Sequence, residues 1–425
     1  MKSFSFSDKY PLQALFSKQI DALLKMLSPV MRWFLLAMIL ANLAGSMYRL
    51  LLPLQMKTLG ASITQIGLGF SAAALIPLLF QYLGGWVSDQ IGRLRTIFLG
   101  SVGGFSGYLI MTFAPTWQIM TLGIAIESFS QVAVTPSFSP FIAENSPPQH
   151  RGLLFGMTTT IFMVVGVIGP PLGGWIASTL DFRGLMQIGA IPYFLSFLLR
   201  LALAVWESRH AAGKTTFRVS SFKTTFREAR RFLMANNILL VFLLVAGMAE
   251  MTIKLSNELL PVYVEQVAHL GLSQIGILGS VYGLAYMLAA MPAGRLADRS
   301  QPRYSLIIGF ILFAIGLVGI IFLHSFGLIA AFWFLFGIGS GFLNPILSTL
   351  LSHLTPTHLL GRMFGLYWTV RTAISLPISW IASQIWSIFS PAMPFLLTAL
   401  ISLLVGIVAF RYIHVQTLPP EMIER

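Results

Sequence analysis

The stretch "TQIGLGFS", Thr64 to Ser71, returns as "SQIGILGS", Ser273 to Ser280, and this shift of 209 positions decides how the chain folds. The same shift pairs Gly85 with Gly294, Asp89 with Asp298, Pro136 with Pro345 and Pro147 with Pro356. It also pairs Gly152, Phe155 and Gly156 with Gly361, Phe364 and Gly365. One offset that holds without a gap across most of both halves marks a duplicated unit.

Composition says what that unit is made of. Of 425 residues, 56% are hydrophobic and only 10% are charged, whereas soluble domains carry about 25% charged residues. Apolar runs of about 18 to 26 residues recur along the chain, long enough to cross a hydrocarbon core about 30 Å thick. Twelve runs are read, near residues 33–54, 62–87, 96–113, 117–141, 152–177 and 185–206, then 237–261, 273–294, 304–323, 327–351, 361–386 and 393–413. The expected fold is an all-α membrane protein with twelve transmembrane helices in two six-helix pseudo-symmetric bundles. Its divisions are an N-terminal segment (1–32), a first bundle (33–206), a basic linker (207–236), a second bundle (237–413) and a tail (414–425). Parallel repeats of this kind place a substrate site between the halves, around an axis along the membrane normal. Ahead of the first span, "YPLQALFSKQIDALLKML" is weakly amphipathic and suits the membrane surface.

The net charge of +13 is a matter of topology. Lys and Arg gather in the loops on one side, with only Lys57 and Arg183 on the other, so the positive-inside rule puts both termini in the cytoplasm of a multi-pass cell-membrane protein. The linker carries Arg209, Lys214, Arg218, Lys223, Arg227, Arg230 and Arg231, which face anionic lipid head groups. No soluble basic domain is present to serve a nucleic acid. Arg200 is expected to snorkel from the cytoplasmic end of its span, which leaves Arg49, Lys254 and Arg371 in the membrane.

Several chemistries lack their residues. There is no cysteine, so no disulfide or thiolate chemistry. Neither a G-x-x-x-x-G-K-S/T phosphate loop nor an H-E-x-x-H metal pair occurs, and His150, His353 and His358 sit beside turns as solvated groups. An enzyme, a metal site and an organic cofactor are not expected.

Polar residues within the spans fall into stripes. Span 1 carries Asn42, Ser46 and Arg49; span 4 carries Glu127, Ser128, Gln131 and Thr135; span 7 carries Glu250, Lys254, Asn257 and Glu258; span 10 carries Ser340, Asn344 and Ser348. Spacings of three, four and seven put each set on one helical face. Each intramembrane charge costs about 2.5–3.5 kcal/mol on insertion scales when it faces lipid. Arg49, Glu127, Glu250, Lys254, Glu258 and Arg371 must therefore face water or one another. Structural ion pairing, such as Glu250 with Lys254, and a role in binding protons or substrate are both open, and they are compatible.

The loop between spans 2 and 3, "GGWVSDQIGRLRT", resembles the G-x-x-x-D-R/K-x-G-R-K/R-K/R signature of the major facilitator superfamily through Gly85, Asp89, Gly92, Arg93 and Arg95. Gln90 and Leu94 replace basic residues of that pattern. The second-half copy, "AGRLADRSQPR", keeps Gly294, Asp298 and Arg299 but lacks the second glycine. In span 5, "GVIGPPLGG" resembles the G-P-x-x-G-G element of the family's proton-coupled drug exporters through Gly169, Pro170, Gly173 and Gly174, although Val165 replaces a glycine and span 4 lacks their arginine. That element is read equally as helix packing.

The resemblance implies a transporter that rocks two halves around a small-molecule site lined by spans 1, 4, 7 and 10, competent as a monomer and driven by a proton gradient. It implies that Asp89 is a cytoplasmic latch, engaging the start of span 11 near Gly361 in the outward-open state and releasing it when the cytoplasmic side opens. Glu127 and Glu250 are the expected proton-coupling carboxylates. Substrate-cavity residues are Asn42, Ser46, Glu127, Gln131, Glu250, Lys254, Asn344 and Arg371. The 209-residue shift maps Arg49 onto Glu258, which leads to an expected extracellular gate between them. The expected activity is export in exchange for protons, with proton-coupled import or facilitated passage as the alternative and a non-transporting receptor as the rival class.

Overall fold

The computed structural model describes residues 27–146, 151–210, 237–299, 302–355 and 360–413. The surface-helix segment before residue 27, the linker positions 211–236 and the tail from 414 lie outside the described residues. So do Pro147, His150, Pro356 and His358.

The described residues are helical in twelve crossings. The first six are α1 (Pro29–Thr58), α2 (Ile63–Ala73 continued by Leu75–Ile91), α3 (Arg93–Thr112), α4 (Trp117–Glu144), α5 (151–180) and α6 (182–210). After the linker come α7 (Asn237–Gln266), α8 (Leu272–Arg299), α9 (Pro302–Phe322), α10 (Phe326–His353), α11 (Leu360–Ser375 continued by Ile378–Ile388) and α12 (Met393–Tyr412).

Local chemistry explains the boundaries. Ser28 accepts from Met31 N at 3.2 Å and Pro29 fills the first turn of α1, where a missing N–H costs nothing. Ser62 and Gln65 form a reciprocal capping box on α2. Between α2 and α3 the chain turns at Gly92, whose φ of 106° only glycine adopts without strain. Between α5 and α6 it turns at Asp181, φ 66°, whose carboxylate accepts from Gly184 N at 2.8 Å and so caps the new helix. Span 11, read from sequence as one run, is interrupted at Leu376–Pro377, because Pro377 has no N–H to continue the ladder.

Contacts between the two bundles gather on the side opposite the termini. There α2 meets α11: Trp380 N donates to Ser71 Oγ at 3.2 Å, and Thr64 Oγ1 and Ser387 Oγ lie 3.2 Å apart. Helices α5 and α8 cross closely as well, with Ser280 Oγ donating to Val167 O. On the terminus side, the hydrogen bonds of Arg93 and of Glu207 stay within the first bundle, and β-carbons added at Gly156 and Gly294 would meet nothing within 4 Å. Among the described residues the hydrogen bonds between the bundles thus lie on the far side, while toward the termini Leu75–Ile91 of α2 still packs against Leu360–Ser375 of α11.

Small residues let α5 pack closely on both sides, Gly169 and Gly173 on α1 within the first bundle, and Pro170 and Gly174 on α8 of the second bundle. A β-carbon at Gly169 would lie 1.8 Å from Ser46 Oγ, and one at Gly173 would lie 1.8 Å from the Met47 carbonyl oxygen. Gly174 faces Gly276 across the bundle interface, and the Pro170 ring touches Gly279. Gly173→Ala therefore forces backbone apart and is expected to cost about 1–3 kcal/mol. A thermal melt of the purified protein should show a lowered midpoint, whereas Gly156→Ala, which meets open space, should leave it unchanged.

Candidate functional site

Where α1 tightens into a short 3-10 turn at Arg49–Leu51, the Arg49 guanidinium swings toward α4. Its Nη2 donates to Glu127 Oε1 at 3.2 Å, with the Arg49 side chain 47% accessible and that of Glu127 11%. An aromatic wall stands behind the pair: Tyr48 meets Tyr108 edge-on at 5.4 Å, and Tyr108 meets Tyr193 at 4.9 Å. Tyr108 Oη donates to Met186 O at 2.9 Å, while the buried Tyr48 hydroxyl, beside the Arg49 guanidinium, donates to no acceptor among the described residues. Tyr48, Arg49 and Glu127 line a cavity of about 210 Å³ that reaches across to Asn257 and Glu258 of α7.

The second bundle holds a different arrangement. Arg371 of α11 is 2% accessible and donates to Glu250 of α7, to Asn344 Oδ1 of α10 at 3.0 Å and to Tyr367 Oη at 2.5 Å. Its guanidinium carbon also lies over the rings of Tyr367 (4.9 Å) and Trp368 (4.7 Å). Three helices are tied together by one buried cation.

The expected Arg49–Glu258 ion pair is not formed. Arg49 finds Glu127 within its own bundle, and Glu258 accepts from Ser379 Oγ with Lys254 Nζ at 4.0 Å one turn below, so both charges are already met. They share a cavity and not a contact. Across the bundles at the far end, Lys57 Nζ instead lies 2.5 Å from Glu265 Oε2. Nor does Glu250 pair with Lys254, because Arg371 takes it. Arg200 does not snorkel: it is 4% accessible, and among the described residues its Nη2 donates to Met38 Sδ at 3.4 Å while its Nε has no partner.

Of the other expected cavity residues, Asn42 donates to its own helix at Met38 O (2.9 Å), and Ser46 turns to Leu43 O (2.9 Å) and Val165 O (3.4 Å). Gln131 is exposed one turn from Glu127. In the signature loop, Asp89 binds Arg93, which also reaches Ser88 Oγ (3.0 Å) and Glu144 (3.1 Å). The Asp89 side chain is 62% accessible. Gly85 packs loosely on Pro136. Surroundings of Gly361 and the side chains of Asp298 and Arg299 lie outside the described residues. A carboxylate does cap a helix start here, and it is Glu207, accepting from Leu94 N (3.2 Å) and Arg95 N (2.9 Å) of α3. Asp89→Asn is expected to cut the transport rate at least several-fold while equilibrium ligand affinity stays within a few-fold; loss of binding in a well-folded variant would remove the latch role.

Sequence reasoning missed Tyr367, Trp368, Tyr48 and the Lys57–Glu265 pair. The first had a signal in "YWTVR", where Tyr367 precedes Arg371 by four. The last had one in the repeat, which maps Lys57 to the neighbour of Glu265. No cluster of three metal-ligating side chains occurs among the described residues.

Comparison with known proteins places these features. The sequence profile of the Major Facilitator Superfamily matches residues 34–273 and 244–423. The chain is 27% identical over 307 residues to the cis,cis-muconate transport protein of Acinetobacter baylyi, covering 66% of this chain and 69% of that one. It is 25% identical over 332 residues to the multidrug resistance protein MdtG of Salmonella arizonae, covering 77% and 81%. The fold matches an inward-facing, unoccupied bacterial homolog of the human lysosomal transporter Spinster with a TM-score of 0.71 at 14% identity, over 91% of this chain and 97% of that one. It also matches a peptide transporter, POT, in complex with sulfate with a TM-score of 0.72 at 13% identity, over 89% and 93%. Nothing among these relatives supports the receptor alternative. With a profile match across both halves and a twelve-crossing helical fold, the chain belongs to the Major Facilitator Superfamily and is a secondary transporter, not an enzyme.

Proposed function

We propose that this transporter carries a small organic solute by alternating access and that protons binding to Glu127 and Glu250 supply the driving force. It works as a monomer in the cell membrane with both termini cytoplasmic. The observation that carries this reading is the presence, in each half, of one intramembrane carboxylate held by one arginine. A proton added to either carboxylate cancels its charge and frees an arginine, which changes what the cavity attracts and which helices stay joined. Lys57–Glu265 and the α5–α8 seal hold the far side shut in the state described, so a solute enters or leaves from the terminus side.

Two directions of coupling each have support. Export in exchange for protons is favoured by the exporter-like glycine element of α5 and by the likeness to MdtG. Proton-driven uptake of an organic acid is favoured by the accessible Arg49 and by the likeness to the muconate transport protein. Proteoliposomes preloaded with labelled ethidium or benzenesulfonate and given an inward proton gradient separate them. Exchange drives the solute out faster than in protein-free vesicles, and cotransport holds it in. A flux that ignores the gradient for both solutes would overturn proton coupling.

A further inference from the structure

Arg49 is the charge that its cavity presents to a ligand. Its side chain is 47% accessible, against 11% for Glu127 and 14% for Glu258. One guanidinium nitrogen is engaged, on Glu127. Glu258 is already held by Ser379 and Lys254, whereas Arg371, 2% accessible, donates through Nη1 and Nη2 to Tyr367, Glu250 and Asn344, and its Nε, without a partner among the described residues, is sealed from solvent. The unmet capacity that a ligand can reach is therefore for an anion and lies at Arg49. A second feature points the same way: the hydroxyl of Tyr48, 1% accessible and lining the same cavity beside the Arg49 guanidinium, is a donor without an acceptor among the described residues. Around these polar groups the wall is apolar, formed by Leu52, Phe70, Met111 and Ile124.

We infer that this cavity is a subsite for a small organic carboxylate with a compact apolar body, and that the carboxylate and a proton on Glu127 bind together. At about 210 Å³ it is smaller than the roughly 300–1,000 Å³ of sites for drug-sized ligands, so it fits a single-ring or short-chain acid. The inference rests on the coupling reading above. An arriving carboxylate competes with the Glu127 carboxylate for one guanidinium, a fork that suits planar anions. Protonating Glu127 removes the competitor, and the guanidinium passes to the ligand. Glu127 is faced by Tyr48 and Arg49 from α1, by Tyr193 and Arg200 from α6, and across the cavity by Glu258 with Lys254 from α7. Tyrosine and arginine keep their protons near neutrality, so Glu127 and Glu258 are the carboxylates of this set. Only Glu127 shares its partner with the ligand. An anion carried here travels with its proton, which assigns this subsite to cotransport.

Equilibrium binding of benzoate and benzenesulfonate to the purified full chain at pH 5.5, 6.5 and 7.5 tests this, with benzylammonium as a cation of the same size. The sulfonate stays charged throughout, so any pH dependence belongs to the protein. Both anions should bind, and more tightly as the pH is lowered. Arg49→Gln should lose binding, Arg49→Lys should retain a weakened, pH-dependent form, and Glu127→Gln should bind tightly at every pH. Preference for benzylammonium, no binding of either anion, or pH-independent affinity in the unaltered protein would each overturn the inference. Binding without a gradient reports the subsite and gradient-driven flux reports the coupling, so the two fail separately.

Discussion

Glu250→Ala is expected to abolish transport and to give the largest loss of stability of any single substitution in the membrane-embedded network. It strands Arg371, which is 2% accessible and so cannot recover hydration. Removing one partner of a buried pair typically costs about 3–5 kcal/mol, most of it the uncompensated charge left behind. Asn344, Tyr367 and Trp368 would still touch the guanidinium, but none carries a negative charge. Thermal melts of purified protein should show this as a strongly lowered midpoint. Replacing Arg371 with Met in the same chain should recover part of it, because the stranded charge is then gone. An unchanged midpoint for Glu250→Ala would show that water reaches Arg371 and that the α7–α10–α11 tie is not structural.

Glu127→Gln is expected to act on energy coupling and to leave the fold intact. Glutamine keeps a carbonyl acceptor for Arg49, and Arg49, 47% accessible, can hydrate through the cavity, so the stability change should be small. The bound proton, however, can no longer come and go. Uphill accumulation driven by a pH gradient should fall to the protein-free background, while exchange of labelled for unlabelled solute continues. Retained accumulation in both Glu127→Gln and Glu250→Gln would place the coupling proton elsewhere.

How much of this was legible in the chain follows from what each feature depends on. Crossings and duplication depend on local hydropathy and on one offset, and both survive in the sequence as direct patterns. From the stripes on spans 1, 4 and 7, Arg49, Glu127, Asn257 and Glu258 line one cavity, whereas Asn344 of span 10 is taken up by Arg371. Pairing was harder. The repeat maps Arg49 onto Glu258, but repeat symmetry places helix axes and not side-chain ends, and Glu127 in the same bundle is simply within reach. Arg200 looked like a snorkelling residue because it lies near a span end; which face it occupies depends on how α6 packs on α1, where Ser196 Oγ donates to Ala37 O at 2.6 Å and turns that face inward. Glu207 was read as the start of a basic linker, whereas its role as cap of α3 depends on a contact more than 110 positions away in sequence. The aromatic seat of Arg371 is within reach of i,i+4 reasoning, since Tyr367 precedes Arg371 by four on one helical face.

The coupling of solute to proton through the Arg49 cavity is tested most directly by benzenesulfonate uptake into proteoliposomes under an inward proton gradient, with protein-free vesicles as the baseline. Accumulation above the external concentration, abolished by a protonophore and by Glu127→Gln, is the predicted result. Uptake that only equilibrates, or that is indifferent to the gradient and to Glu127, would contradict the account.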